Sequence, residues 1–197
     1  MAPPRSRPRA RRRLPWFAAA AAIAAAANPA ATMPATLYTI RAGGHFCDQT
    51  RQQLVEVSAV YFTVRFDESA KYRTQAPENQ ADINKLLGFS DNAGHHHRFS
   101  ARFGWCWNND RLELHAYVYN DGVRSSKLLG AVELGTEHSC SIRVTADTYV
   151  FTLDGESATM PRKSPLPRAR GYKLFPYFGG QEAAPHAVRI WIREAWQ

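Results

Sequence analysis

Acidic residues and cysteine are both scarce in this sequence. Seventeen Asp and Glu face 25 Lys and Arg, a formal charge of +8, and there are three cysteines among 197 residues. So few cysteines exclude a disulfide-stapled miniprotein. The shortage of acid looks at first like the footprint of a nucleic-acid partner, but six of the basic residues are Arg5, Arg7, Arg9, Arg11, Arg12 and Arg13. Without them 19 basic residues face 17 acidic ones, a net of +2, so no nucleic-acid partner is implied. The chain also lacks an internal repeat, a sustained helical period beyond residue 36 and a second long apolar run. These absences exclude solenoids, helical bundles and a stable membrane span, which needs about 20 strongly apolar residues. What the sequence has is 45% hydrophobic and 12% aromatic residues against 21% charged. That is enough apolar surface for one domain with a genuine core, and it argues against disorder.

The arginines open a three-part segment. A basic stretch ends at Arg13, an apolar stretch runs from Leu14 to Ala27 with nine alanines among residues 18–27, and small residues follow. This pattern predicts a signal peptide over residues 1–27, with cleavage after Ala25-Ala26-Ala27 and a second candidate region at Ala30–Ala35. Residues 28–36 are then a flexible mature N-terminus, 37–197 form the domain, and the address is secreted or periplasmic. Export makes Cys47, Cys106 and Cys140 disulfide candidates, with all three pairings open and one thiol left over. No two lie within metal-ligand spacing, which disfavours a zinc site built from cysteines.

Beyond residue 36, short β-branched and aromatic runs are punctuated by Gly, Asn, Asp and Pro. Strands are expected near 37–42, 55–66, 98–108, 111–119, 127–134, 139–145, 148–153, 171–178 and 186–193, with a helical turn near Ala81–Leu87. Residues 67–97 and 156–170 read as long loops. The fold class is all-β, a two-sheet antiparallel β-sandwich of the jelly-roll kind, with a closed barrel as the alternative.

Period-two patterning assigns faces. Val60, Phe62, Val64 and Phe66 point inward, as do Leu112, Leu114, Ala116 and Val118. Glu113, His115, Tyr117 and Tyr119 face outward, as do Arg102, Gly104, Cys106 and Asn108 on the preceding run. A hairpin between these runs must pair Trp107 with Leu112 across an Asn109-Asp110 turn. Arg102 then lies opposite Tyr117 and Gly104 opposite His115, with room above the imidazole. In the last strand Val188, Ile190 and Ile192 look inward, leaving Arg189, Trp191 and Arg193 outside. Aromatic rings stack on sugars while Arg and His bind hydroxyls and carboxylates. The predicted glycan-binding face therefore comprises Arg102, His115, Tyr117, Tyr119, Lys173, Arg189 and Trp191, and its partner is a polysaccharide containing uronic acids.

Three resemblances follow from particular motifs. The stretch Ile142–Gly155, ending in Asp154-Gly155, resembles a hairpin of concanavalin A-like and laminin-G-like jelly rolls. Tyr38–Ile192 resembles small exported bacterial proteins of unassigned function through Asp82–Asp91, Phe99–Trp105 and Tyr172–His186, which implies a fold and an address. The chain is also similar to jelly-roll alginate lyases: Arg102 in Ser100-Ala-Arg-Phe103 matches their Arg-containing strand motif, and His115 in Glu113-Leu-His115 their Gln-hydrophobic-His motif. Lys173 and Tyr177 match their late Tyr-rich motif, although Glu113 replaces the Gln and Pro176 interrupts the last. This resemblance implies an enzyme in which Arg102 neutralises the uronate carboxylate, His115 takes the proton and Tyr177 protonates the leaving oxygen. A structural or adhesive envelope protein is the third reading.

Other chemistries find less support. Glycoside hydrolysis needs two placed carboxylates, and the Glu-x-Asp-x-(x)-Glu strand pattern of concanavalin-like glucanases is absent. His95 and His97 would share a face if extended and could bind metal with His45, His115 or His186, but solvated loop histidines are the simpler reading. No cofactor is required. Calcium is compatible with Asp67, Asp91 or Asp121, though no loop has identifying spacing. Gly179-Gly180 precedes no helix and is not a phosphate loop. No nucleophile triad is apparent around Ser100 and His115.

Overall fold

The computed structural model describes residues 27–197, so the signal peptide predicted over residues 1–27 lies, but for its last residue, outside the described residues. Twelve strands follow one another: β1 (Thr36–Ile40), β2 (Leu54–Val57), β3 (Ala59–Phe66), β4 (Asn84–Ser90), β5 (Phe99–Asn108), β6 (Arg111–Asn120), β7 (Val123–Val132), β8 (His138–Val144), β9 (Thr148–Leu153), β10 (Glu156–Pro161), β11 (Ala169–Leu174) and β12 (Val188–Trp196). They form two antiparallel six-stranded sheets, ordered β1-β12-β3-β8-β9-β10 and β2-β11-β4-β5-β6-β7. Between the sheets sits one apolar core. Val60, Phe62, Val64 and Phe66 meet Ala101, Phe103, Trp105, Leu112 and Leu114, with Phe62 edge-on to Phe103 at 5.1 Å. This is the β-sandwich that the alternating pattern predicts, and the inward sets of β3, β6 and β12 are buried as expected.

The central hairpin has the expected register. Trp107 pairs with Leu112, Gly104 with His115 and Arg102 with Tyr117. Asn109 and Asp110 close it with φ of 50° and 56°, left-handed values that Asn and Asp tolerate better than other non-glycine residues.

Elsewhere the element boundaries change. The expected strand 55–66 is two strands in different sheets: β2 pairs with β11, β3 pairs with β8 and β12, and Ser58 is the crossing point. The helical turn expected near Ala81–Leu87 is largely β4. Its pattern misleads because a register shift between Lys85 and Gly88 puts Leu86 and Leu87 both in the core, which removes the alternation. Within the expected loop 156–170, β10 is a polar edge strand turned back through Asp154-Gly155. Residues 28–36 are tied down rather than flexible. Asn28 caps a 3₁₀ turn at Pro29–Thr32, and its amide donates to Phe62 O and Ser139 Oγ, both at 2.9 Å.

Cys47, Cys106 and Cys140 are free, and no disulfide forms. Cys140 is buried in the core on β8, whereas Cys106, opposite Glu113, points to the outer face of the other sheet, so their side chains diverge. No described helix is long and apolar enough to cross a membrane.

Candidate functional site

The outer face of the sheet containing β4, β5 and β6 carries the site. Arg102 has Gly88 on one side and Tyr117 on the other, and Ser100 has Ser90 and Tyr119. Gly88 is required here, because a Cβ would run into the Ala101 carbonyl and the Arg102 side chain. Lys85 lies beside Gly104, and its backbone pairs with Tyr177 through N–H···O bonds of 2.8 and 2.9 Å. Tyr177 is thereby fixed despite Pro176, its ring stacked on His45 at 5.4 Å with Phe46 edge-on at 5.0 Å. The turn at residues 95–98 adds His96, whose Nδ1 lies 2.8 Å from the Tyr172 hydroxyl, and His97, whose ring lies 5.3 Å from that of Tyr119.

These groups enclose a cleft of about 660 Å³ whose floor and walls include Lys85, His96, Arg102, Tyr117, Tyr119, Tyr172 and Tyr177, with Arg51 and Phe46 also in the lining. No carboxylate lines it among the described residues. Phe46 is 66% exposed, an open apolar ring at the cleft.

The electrostatics are unbalanced. Arg102 is 5% exposed, its Nε is buried without a hydrogen-bond partner, and no described residue forms an ion pair with it. The Tyr117 ring lies between two cations, 5.3 Å from the Arg102 guanidinium and 5.0 Å from Lys85 Nζ. Burial, with Arg102 and Arg124 adding repulsion, pushes the Lys85 ammonium down to about 8. Burial next to Arg102 pushes His96 down to about 4, so it is neutral at pH 7. Burial pushes the Tyr117 phenol up. Cations this close together without a counter-ion leave positive charge that a bound anion would offset.

The fold divides the residues predicted for the glycan face. Arg102, Tyr117, Tyr119 and Tyr177 come together in the cleft. Lys173 borders it, but its side chain points between the sheets, where the ammonium pairs with Glu194 and donates to Tyr38 OH at 3.2 Å. Arg189 and Trp191 are on β12 and so belong to the other sheet. Arg189 pairs with Asp67 at 2.8 Å, and Trp191 lies 4.1 Å beneath Arg65. His115 faces the same side as Arg102 but outside the cleft lining. Ile83 fills the space over Gly104 that was expected to be open, and His115 Nε2 instead lies 3.5 Å from Cys106 Sγ and 3.7 Å from Glu113 Oε2.

Lys85, His96 and Phe46 are cleft residues that sequence reasoning missed. The triple-histidine run was the available signal. Its turn is closed by Arg98 N–H donating to His95 O, so His95 and His97 do not share an extended face. Among the calcium candidates, Asp91 is committed to Arg162, Asp67 caps the turn Glu68–Ala70, and Asp121 lies 3.6 Å from Arg98.

No family model and no curated protein matches the sequence. Solved structures do. One is alginate lyase vAL-1 from Chlorella virus, 10% identical, covering 83% of this chain and 85% of that one at a TM-score of 0.50. Another is an alginate lyase from Pseudomonas aeruginosa, 13% identical, with 82% of each chain covered at 0.52. A third is the catalytic domain of an endo-1,3-β-glucanase (laminarinase) from Thermotoga petrophila, 10% identical, covering 81% and 75% at 0.52. The fold is a concanavalin A-like jelly roll. On this jelly roll the cleft occupies the outer face of the sheet that contains the central hairpin.

Proposed function

We propose that the cleft binds an acidic, uronate-containing polysaccharide. The observation that carries this reading is Arg102, a buried guanidinium with an unpartnered Nε in an open cleft that has no carboxylate. A sugar carboxylate would supply the missing counter-charge in a charge-assisted pair. Phe46 and the four cleft tyrosines offer aromatic surface to the pyranose rings. Similarity in fold to alginate lyases supports a carbohydrate ligand. The Ala-rich segment ending at Ala27 supports action outside the cytoplasm.

A second reading, cleavage by β-elimination, is favoured by Lys85, whose lowered proton affinity leaves free amine available near neutral pH. With the carboxylate on Arg102, the amine takes the proton from the carbon bearing that carboxylate. The bond from the neighbouring carbon to the glycosidic oxygen breaks as a carbon–carbon double bond forms, and Tyr117 or Tyr177 gives a proton to the leaving oxygen. Lys85 thus takes the role first expected of His115. Hydrolysis finds no support, since the cleft lining has no carboxylate pair.

The test incubates the purified protein with polyuronates and neutral glucans, with and without calcium, and follows both binding and the ultraviolet absorbance of unsaturated product. Binding restricted to polyuronates and lost in Arg102→Ala is expected. Equal binding to neutral glucans, or binding unaffected by Arg102→Ala, overturns the recognition reading. Product formation abolished in Lys85→Met while binding persists establishes elimination. Binding without product limits the cleft to recognition.

A further inference from the structure

Beyond the Ile83 barrier lies a second cluster on the same sheet face. Cys106 and Glu113 are cross-strand partners, and His115 is the next outward residue along β6. Their donor atoms converge: Cys106 Sγ to His115 Nε2 is 3.5 Å, Cys106 Sγ to Glu113 Oε2 is 3.8 Å, and His115 Nε2 to Glu113 Oε2 is 3.7 Å. The last distance is too long for an N–H···O hydrogen bond, which falls near 2.7–3.2 Å. All three edges, 3.5 to 3.8 Å, instead come within a few tenths of an ångström of the spacing around a tetrahedral metal. Zinc at about 2.3 Å from sulfur and about 2.0–2.2 Å from nitrogen and oxygen sets its ligands about 3.4–3.6 Å apart. Cys106 is 1% and Glu113 7% exposed, and Glu113 has only long contacts, with Arg111 and Asn108 both at 3.5 Å. Burial beside Glu113 keeps Cys106 a neutral thiol, and a dication seated between the two would displace that proton and neutralise the buried carboxylate. The Arg111 contact to Oε1 leaves Oε2 turned toward the cluster.

We propose that Cys106, Glu113 and His115 bind one zinc ion, with water as the fourth ligand. One sulfur, one nitrogen and one oxygen donor in tetrahedral spacing suit this borderline ion better than calcium or magnesium, which take oxygen ligands. The three donors stand on one two-residue hairpin, so the site is preformed and needs shifts of only a few tenths of an ångström. It is independent of the glycan cleft.

The test strips the purified full-length chain with a chelator, dialyses it, and titrates Zn²⁺ against a chromophoric competitor. Stoichiometric binding is expected, weakened by about 100-fold or more in Cys106→Ser and in His115→Ala. Cobalt substitution gives a signature that needs no variant: thiolate-to-cobalt charge transfer in the near ultraviolet with intense visible bands of tetrahedral Co²⁺. That band must persist in Cys47→Ser/Cys140→Ser and vanish in Cys106→Ser. Absence of stoichiometric binding, a cobalt spectrum without the thiolate band, or a band that survives Cys106→Ser overturns the proposal. A spectrum lacking that band would place the metal on the exposed histidine run instead.

Discussion

Arg102 bears its charge where water scarcely reaches and where no acid answers it. Two opposite effects of Arg102→Ala follow. Affinity for polyuronate falls by about 10- to 100-fold, the loss of one charge-assisted contact, measurable by calorimetry. Thermal stability without ligand stays level or rises, since an unpaired buried cation is removed. Lys85 gives the pH dependence. Its folded value, pushed down to about 8, lies below the 10.5 of an unperturbed lysine, so folding disfavours its proton. Between those values the unfolded chain binds more protons, and stability therefore rises as pH goes from about 8 to 10.5. An elimination rate dependent on the free amine climbs toward a plateau above pH 8. Denaturant midpoints and rates across this range check both, and Lys85→Met flattens the first and abolishes the second. Arg102, Tyr117 and Tyr119 were legible because strand parity and one turn fix their neighbours. Lys85 was not, since its segment hides its strand.

At the scale of the element, the β5–β6 hairpin is specified by local chemistry. Asp110 has a φ of 56°, which costs an L-residue more than glycine. Asp110→Gly should raise the unfolding free energy by up to about 1 kcal/mol without altering the cleft, as read from denaturant titration. Gly88 is the reverse case. A methyl group there meets backbone on β5, so Gly88→Ala should cost about 1–3 kcal/mol and displace Arg102, lowering polyuronate affinity along with stability. Strand parity and the hairpin register suffice to put Cys106, Glu113 and His115 on one face, yet their convergence depends on rotamers that strand parity does not specify. The filling of the space above Gly104 by Ile83 is equally hidden, because Ile83 precedes β4 in a segment whose pattern suggests a helical turn.

For the whole molecule, one buried ion pair ties loops to the site. Arg162 and Asp91 are both fully buried, 2.8 Å apart, and Asp91 also accepts from Tyr149 OH at 2.7 Å, Ser164 Oγ at 3.2 Å and Arg170 N–H at 3.3 Å. Asp91 stands just before the turn that presents His96 and His97, while Arg170 belongs to β11. Arg162→Ala would strand a buried carboxylate at a cost of about 3–5 kcal/mol, seen in chemical unfolding, and weaken the cleft wall. Period-two alternation and one turn are enough to specify the all-β class, the inward faces, the central register and the tyrosine-arginine row. Which sheet each strand joins emerges only on folding. That assignment set Arg189 and Trp191 on the far side, turned Lys173 inward to Glu194 and brought Lys85, His96 and Tyr177 to Arg102. Sheet membership is settled by long-range pairing and core packing between segments remote in the chain, and local patterning reads a strand's faces without naming its neighbours.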